Sequence, residues 1–245
     1  MEADTDWRLQ AVTELSKDWR SPWSGELHKK GAKVISVSIS QLNKKKTLTI
    51  PIPNATASCL NISKCAWDES RRLRKNAKLD SSLKQEVSFR TEEEAIDYIE
   101  ALMQSIVFAF TALEAFVNEF IPHDYKYVKH GQKSTEKYTK AEIERWIQID
   151  EKLGKVLPEI FGVETPKGKH KSWNEFQKLK EIRDRLIHMK TADRRSAGPE
   201  DKTIWNELVK AEPPYSEAFS IIEYFVNKMD KKPSWYDRGR NKLNK

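Results

Sequence analysis

The most apolar segment of the chain, 101–117, predicts a helix at the centre of a bundle. Thirteen of its 17 residues are apolar, which is too many for a helix that lies on a surface with one face in water. Upstream, Thr91 and Glu94 have the spacing of a capping box, so we expect the helix to span 91–121. Acidic residues interrupt it and 17 residues fall short of a membrane span, so no transmembrane segment is expected.

The polar residues of this helix recur at a fixed spacing. Asp97, Gln104, Thr111 and Asn118 follow one another every seven residues, which places them in one narrow stripe along the helix. Glu114 lies beside the stripe. One interpretation is that the stripe is the solvent edge of the helix; the other is that its Glu114 and Asn118 end faces a functional site.

Helical periodicity continues downstream and predicts a mainly α fold, with a bundle of four to five helices over 91–230. Thr139 with Glu142, and Ser172 with Glu175, repeat the capping-box spacing at the start of two further helices. The predicted helices after the central one are 139–156, 172–189, 204–210 and 215–229, with loops at 122–138, 162–171 and 190–202. The apolar face of the first of these contains Ile143, Trp146, Ile147, Leu153 and Val156.

The first 90 residues predict an extension to the bundle with a different pattern. A short amphipathic helix is expected around Trp7 to Trp19, followed by a β-hairpin over 33–53 in which alternating apolar residues form one buried face. Residues 54–90 have no clear assignment, and their basic run, 71–78, is either a solvated helix face or a nucleic-acid patch. The basic C-terminal segment 231–245 is expected to be flexible.

Composition narrows the functional classes. Only 8 of the 245 residues are glycine, which argues against a barrel, a Rossmann-type fold or a phosphate-cradling loop. The two cysteines form neither a disulfide framework nor a zinc site, so we expect reduced thiols in a cytoplasmic protein. The net charge of +7 is compatible with binding to RNA, DNA or an acidic partner and does not distinguish among them.

One histidine stands out in a chain without the common catalytic motifs. GxSxG, P-loop and HExxH sequences are absent, but His188 follows Arg183 and Asp184 at the end of a predicted helix. The four-residue spacing places Asp184 and His188 on one helix face, where the carboxylate can orient the imidazole or favour its protonated form. The competing interpretation is a helix-end histidine in a surface ion pair.

The sequence Arg183-Asp184-Arg185-Leu186-Ile187-His188 resembles the Arg-x4-6-His motif of the HEPN family of helical bundles. The resemblance extends to FTALEAFVNEFI at 110–121 and to EKLGKVLPEIFG at 151–162, and so covers about 90–230. It implies a metal-independent endoribonuclease that acts as a homodimer with a composite site, often as a toxin or phage-defence effector beside an antitoxin or regulatory protein. Other family members have lost catalysis and bind RNA or a protein partner.

The chemistry of the motif suits RNA cleavage, because the 2′-OH of RNA is itself the nucleophile. Histidine can act as general base or acid near neutral pH, and an arginine fork can bind the phosphate oxygens of the transition state. Neither a metal nor another cofactor is then expected, and the products are a 2′,3′-cyclic phosphate and a 5′-hydroxyl. A helical scaffold in which the motif is accidental remains a third hypothesis.

The candidate site residues follow from the resemblance. Arg183 and His188 are the expected catalytic pair, and Asp184, Glu114 and Asn118 are expected to support them. Weaker candidates for contacts with RNA are Arg185, Lys190, Arg194 and Arg195.

Overall fold

The computed structural model describes residues 5–22, 24–131 and 134–244 and has a mainly α fold. The strands form antiparallel two-stranded pairs. The helices are α1 (Ala55–Asn76), α2 (Glu92–Phe120), α3 (Lys140–Trp146), α4 (Ile149–Glu151), α5 (Leu157–Phe161), α6 (Lys171–Ile187), α7 (Ile204–Val209), α8 (Pro214–Val226) and α9 (Tyr236–Leu243), with a π turn at Lys152–Val156 and a 3₁₀ turn at Thr191–Arg194. The strands are β1 (Val12–Glu14), β2 (Trp19–Arg20), β3 (Leu27–His28), β4 (Lys33–Ile35), β5 (Val37–Asn43), β6 (Lys46–Pro51), β7 (Lys126–His130) and β8 (Thr135–Thr139).

The chain divides into two compact units. The first, here called the terminal unit, contains the chain up to Ser58 together with Lys232 onwards. The second, the bundle unit, is Cys59–Lys231. The sequence predicted boundaries at residues 90 and 230. In the structure the first boundary follows Ser58 instead, and it lies inside α1. The sequence-based division also separated the C-terminal segment from the N-terminal residues with which that segment packs.

Within the described part of the C-terminal segment, Tyr236–Leu243 form α9, so the prediction of a flexible tail is wrong for these residues. Trp235 and Tyr236 are fully buried in the terminal unit. Gly239 approaches the indole ring of Trp7 so closely that a Cβ on this residue would lie 2.8 Å from the ring. Arg238 also donates a hydrogen bond of 2.9 Å to the hydroxyl of Thr5. The burial of these aromatic side chains outweighs the tendency of the neighbouring basic residues to stay solvated.

The helix predicted around Trp7 to Trp19 is replaced by short strands. β1 pairs with β4 and β2 pairs with β3, with Gly25 and Gly31 at positive φ in the connecting turns. Such turns favour glycine, because residues with a Cβ rarely adopt that conformation. Pairing with residues 27–35 therefore overrides the helical periodicity of the segment.

The predicted β-hairpin is present as β5 and β6, but it does not have one buried face. Ile39 lies opposite Thr49, whereas Leu48 lies opposite Ser40. Directly opposed residues of an antiparallel pair share a face, so the apolar residues of the two strands point to opposite sides of the ribbon. All residues of the segment 41–50 are exposed.

The bundle unit is built around α2. Its side chains Leu113, Phe116 and Val117 are fully buried, and it packs against α6 and α8. The hydroxyl of Thr91 caps it by accepting a hydrogen bond of 3.2 Å from the Glu94 amide. This helix is long and apolar enough to cross a membrane, yet half of its most apolar 18-residue window is buried inside the protein. These features confirm the predicted central helix.

The segment 122–156 differs most from its prediction. The expected loop at 122–138 contains the β7–β8 hairpin, and the expected single helix after it is divided into α3, α4 and the π turn before α5. Trp146 was expected to face the core, but its side chain is 60% exposed, with the Arg145 guanidinium 4.5 Å from its ring centre. The chain bends after Trp146, so this residue is directed away from the interior.

The motif helix, α6, begins at Lys171, one residue before the predicted position. His170 caps it in place of Ser172, because its ring Nδ1 accepts a hydrogen bond of 3.2 Å from the Ser172 amide. Its buried face includes Trp173, Phe176 and Leu179, as the periodicity predicted. The helix ends at Ile187, so His188 is the C-cap residue and not part of the helix.

Glu217, at the start of α8, lies near the carboxylate of Glu175 on α6. Burial raises the pKa of Glu217 to about 7, and the negative charge of Glu175 adds to this effect. Since the folded-state pKa lies above the unfolded value, the native protein keeps a proton between about pH 4.5 and 7 that the unfolded chain has released. The free energy of unfolding therefore decreases as the pH rises from about 4.5 to about 7.

We predict that Glu217→Gln stabilises the protein at pH 8 by on the order of 2 kcal/mol, because the amide cannot acquire the buried charge. At pH 5 the variant and the wild type should unfold at nearly the same denaturant concentration. Chemical denaturation at both pH values measures the difference, and Glu181→Gln, at an exposed position of α6, is the control. Equal stabilisation at both pH values would contradict the assignment.

Candidate functional site

Arg183 connects the motif helix to the central helix. Its guanidinium lies over the ring of Phe110 on α2, 4.4 Å from the ring centre. One nitrogen donates a 2.9 Å hydrogen bond to the Asp184 carboxylate, and another lies 3.8 Å from the carboxylate of Glu114. The aromatic face and two carboxylates together fix the position of this cation.

The side chains around Arg183 line a cavity of about 310 Å³. It brings together four residues that the sequence had selected from two distant segments: Glu114, Asn118, Arg183 and Asp184. The other residues that line it are Phe110, Glu144, Arg145, Ile147, Gln148, Ile149, Lys152 and Lys180. The Glu114 and Asn118 end of the stripe and the Arg-containing helix therefore meet at one place, which is what the second of the two interpretations of the stripe predicted.

The remaining part of the stripe has a different environment. Asp97 and Gln104 are exposed. Thr111 is half-buried and donates its hydroxyl proton to the Val107 carbonyl of its own helix, at 2.9 Å. Of the stripe, only Asn118 lines the cavity, with Glu114 beside it.

Lys152 is a cavity residue that sequence reasoning missed. It lies in the π turn and is 6% exposed. Its ammonium group donates hydrogen bonds of 3.0 Å to the Asn118 side-chain oxygen and to the Glu144 carbonyl. Burial lowers the pKa of Lys152, while the charges of Glu114 and Glu144 oppose this shift. No local pattern distinguishes this lysine from the exposed lysines of the chain, because Asp150, Glu151 and Lys155 surround it in the sequence.

Asp184 interacts with cations and not with the imidazole of His188. Its carboxylate accepts hydrogen bonds from Lys180 at 2.8 Å and from Arg183 at 2.9 Å. Partial burial alone would raise the pKa of Asp184, but these two hydrogen bonds outweigh it and hold the pKa below its usual value. The expected orientation of His188 by the Asp184 side chain is thus not observed.

His188 itself is exposed at the end of α6 and does not line the cavity. Its backbone amide donates a 3.0 Å hydrogen bond to the Asp184 carbonyl. The contact between these two residues is therefore made by the backbone. An exposed imidazole that follows the last helical turn is accessible to solvent and to a second macromolecule.

Arg185, one of the weaker candidates for contact with RNA, has a structural environment. It donates a 2.9 Å hydrogen bond to the buried carboxylate of Asp193 and another to the Lys202 carbonyl. Asp193 also accepts from the amides of Ile204 and Lys190. These backbone hydrogen bonds and Arg185 lower the pKa of Asp193, so the arginine joins the end of α6 to the start of α7.

The side chains of the other three weak candidates for RNA contacts, Lys190, Arg194 and Arg195, are exposed. They lie just after His188 in the chain, around the 3₁₀ turn. They do not line the cavity. Their positions permit contact with a polyanion but do not by themselves indicate one.

The cavity carries both signs of charge. Its lining contains four cations and three carboxylates, namely Arg145, Lys152, Lys180 and Arg183 with Glu114, Glu144 and Asp184. An anionic ligand that binds Arg183 must therefore displace or supplement carboxylates that this arginine already contacts. In the described part of the chain, no three His, Cys, Asp or Glu side chains are placed to hold a metal ion.

Comparison with known proteins returned no match to a protein-family model, a curated protein or a solved structure.

We predict that Asn118 and Lys152 are energetically coupled. Asn118→Leu removes the side-chain acceptor of a buried ammonium and should lower the free energy of unfolding by about 1–3 kcal/mol. Adding Lys152→Met should restore part of that loss, because no buried charge then lacks its partner. A double-mutant cycle by chemical denaturation measures the coupling, and strictly additive effects of the two substitutions would contradict the hydrogen bond.

Proposed function

We propose that this chain is a metal-independent endoribonuclease of the HEPN type that acts as a homodimer. The observation that carries the proposal is the placement of the two motif residues. Arg183 is fixed in a polar cavity next to Glu114 and Asn118, and His188 is exposed at the C-terminal end of the same helix. The resemblance of 183–188 to the HEPN motif supplies the class of reaction.

In this proposal the two side chains have different tasks. His188 transfers protons, taking one from the 2′-OH or giving one to the departing 5′-oxygen. Arg183 donates hydrogen bonds to the non-bridging phosphate oxygens, whose negative charge grows in the transition state. The bond from the 2′-oxygen to phosphorus forms as the bond to the 5′-oxygen breaks, which leaves a 2′,3′-cyclic phosphate and a 5′-hydroxyl.

Arg183 must exchange partners for this role. Its contact with Glu114 is long, at 3.8 Å, and Glu114 is half-exposed, so a phosphate oxygen can replace this carboxylate at small cost. Its contacts with Asp184 and the Phe110 ring can persist and keep the guanidinium oriented. Asp184 then serves to position Arg183, and Lys152 serves to position Asn118.

A second copy of the chain completes the proposed site. General acid–base cleavage needs one group to accept a proton and another to donate one, and each chain contributes a single motif histidine. Two copies related by a two-fold axis would place two His188 side chains and two Arg183 side chains around one cleft. Exposure of His188 at the end of α6 is compatible with this arrangement.

A non-catalytic RNA-binding module is the second candidate, and one observation favours it. The Arg183 guanidinium is already engaged by Asp184, Glu114 and Phe110, so its contacts are also those of a structural arginine. This alternative predicts salt-sensitive binding of RNA without cleavage.

We predict that the purified wild-type protein cleaves single-stranded RNA in the presence of EDTA, and that His188→Ala lowers the rate at least about 100-fold, as is typical for loss of a general acid or base. His123→Ala is the matched control, since His123 is also exposed and should be dispensable. Products are followed on denaturing gels, and direct labelling of new 5′-hydroxyl ends by a polynucleotide kinase identifies the bond that is broken.

Equal activity of the wild type and His188→Ala would exclude His188 as the catalytic histidine. Tight binding of RNA by both proteins, without cleavage, would favour the non-catalytic module.

A further inference from the structure

The net positive charge of the protein resides in the terminal unit. This unit contains 14 Lys and Arg against 7 Asp and Glu, a net charge of +7. The bundle unit contains 30 of each and has no net charge. The unit that contains the proposed catalytic residues therefore has little long-range attraction for RNA, and the other unit carries the whole excess.

Three acidic residues of the terminal unit have basic neighbours. Asp6 pairs with Arg8 at 2.6 Å, and Asp18 pairs with Lys29 at 2.9 Å. The hydrogen bonds from Arg8 hold the pKa of Asp6 at about 2, so this pair stays charged across the physiological range. Glu14 lies directly opposite Lys33 in the β1–β4 pair. The net positive charge of the terminal unit therefore comes from basic residues outside these three pairs.

Three of these residues are consecutive at the tip of the β5–β6 hairpin. Asn43 pairs with Lys46, so Lys44 and Lys45 form the turn between the strands. All three lysines are exposed, and among the residues that the structure describes no carboxylate forms an ion pair with them. A hairpin tip with three free ammonium groups is a strong local attractant for a polyanion.

The strands behind this tip expose apolar and hydrogen-bonding side chains on both faces. Ile39 and Leu42 are 50% and 59% exposed. The cross-strand neighbours of the apolar residues are hydroxyl residues, with Thr49 opposite Ile39 and Ser40 opposite Leu48. Each face therefore offers apolar contact area next to a hydroxyl group.

We propose that the β5–β6 hairpin is a binding surface for single-stranded RNA. Lys44, Lys45 and Lys46 neutralise phosphates, while Ile39, Leu42 and Leu48 pack against unstacked bases. A base-paired RNA fits less well, because its bases are stacked inside the helix and its major groove is too narrow for side chains. The choice of RNA as the polyanion rests on the proposed function. The charge and exposure of the hairpin are observations that do not depend on that function.

Two other partners for this surface, a lipid membrane and a second copy of the hairpin, fit less well than single-stranded RNA. A lipid membrane would require the apolar residues at the end of the hairpin, but three lysines occupy that end. A second copy of the hairpin would bring two units of charge +7 together, which opposes association. The membrane alternative is one outcome of the test below.

The test measures binding of a fluorescent single-stranded RNA 20-mer by anisotropy, with EDTA, in a His188→Ala background that prevents cleavage. The variant Lys44→Gln/Lys45→Gln/Lys46→Gln should flatten the slope of log K against log salt by about 2 and weaken binding by about 100-fold at 0.1 M salt. The control Lys84→Gln/Lys126→Gln/Lys137→Gln removes the same charge from exposed positions of the bundle unit and should change binding little.

A second variant separates the apolar contribution from the charge. Ile39→Ser/Leu42→Ser should weaken binding without changing the salt slope, because it removes base contacts and no phosphate contact. Circular dichroism of each variant checks that it has folded.

The proposal is overturned if the hairpin variant binds as tightly as its parent, or if the control variant loses as much affinity. It is also overturned if duplex RNA of equal length binds as tightly, or if the hairpin lysines are needed for vesicles that contain phosphatidylserine but not for RNA. Because binding is measured without cleavage, hairpin-dependent binding by a protein that never cleaves RNA would leave this proposal intact while refuting the nuclease.

Discussion

Burial of the central helix is the constraint on which the bundle unit depends. α2 is apolar on so many sides that no single neighbour can cover it, and both α6 and α8 pack against it. Its side chains Leu113, Phe116 and Val117 are completely removed from water, each contributing about 1.5–3 kcal/mol. Burial of these side chains fixes the rotation of α2 about its own axis. The directions in which its few polar side chains point are thereby fixed as well.

This constraint determines where the candidate site forms. With α2 fixed, Glu114 and Asn118 face the gap that is closed by α6 and by the turn containing Lys152. Arg183 reaches across from α6 onto Phe110, and Lys152 reaches across to Asn118. The polar groups of the two helices are thereby satisfied by each other, which is what burial of such groups requires. The same contacts fix the position of the Arg183 guanidinium.

The elements predicted correctly from the sequence are those whose signals are local and strong. The apolar content and the cap of α2 and the periodicity of α6 follow from spacing alone, whereas the grouping of Arg183 with Glu114 was expected only from the resemblance. The misassigned elements depend on partners far away in the chain. β1 exists because it pairs with β4, the C-terminal helix is ordered because Trp235 and Gly239 pack within the terminal unit, and Arg185 is held by Asp193. A lysine buried by tertiary packing, such as Lys152, has no local signature.

In the two proposals taken together, the terminal unit attracts RNA and the bundle unit contains the motif residues. The central claim remains that Arg183 and His188 of two copies form one site. Refolding wild-type chains together with His188→Ala chains tests it most directly, because a mixed dimer has only one His188 and lacks the second proton-transfer group. The account predicts that RNA cleavage falls with the square of the fraction of wild-type chains, since only dimers of two wild-type chains are active. Cleavage that falls only in direct proportion to the fraction of wild-type chains would contradict it.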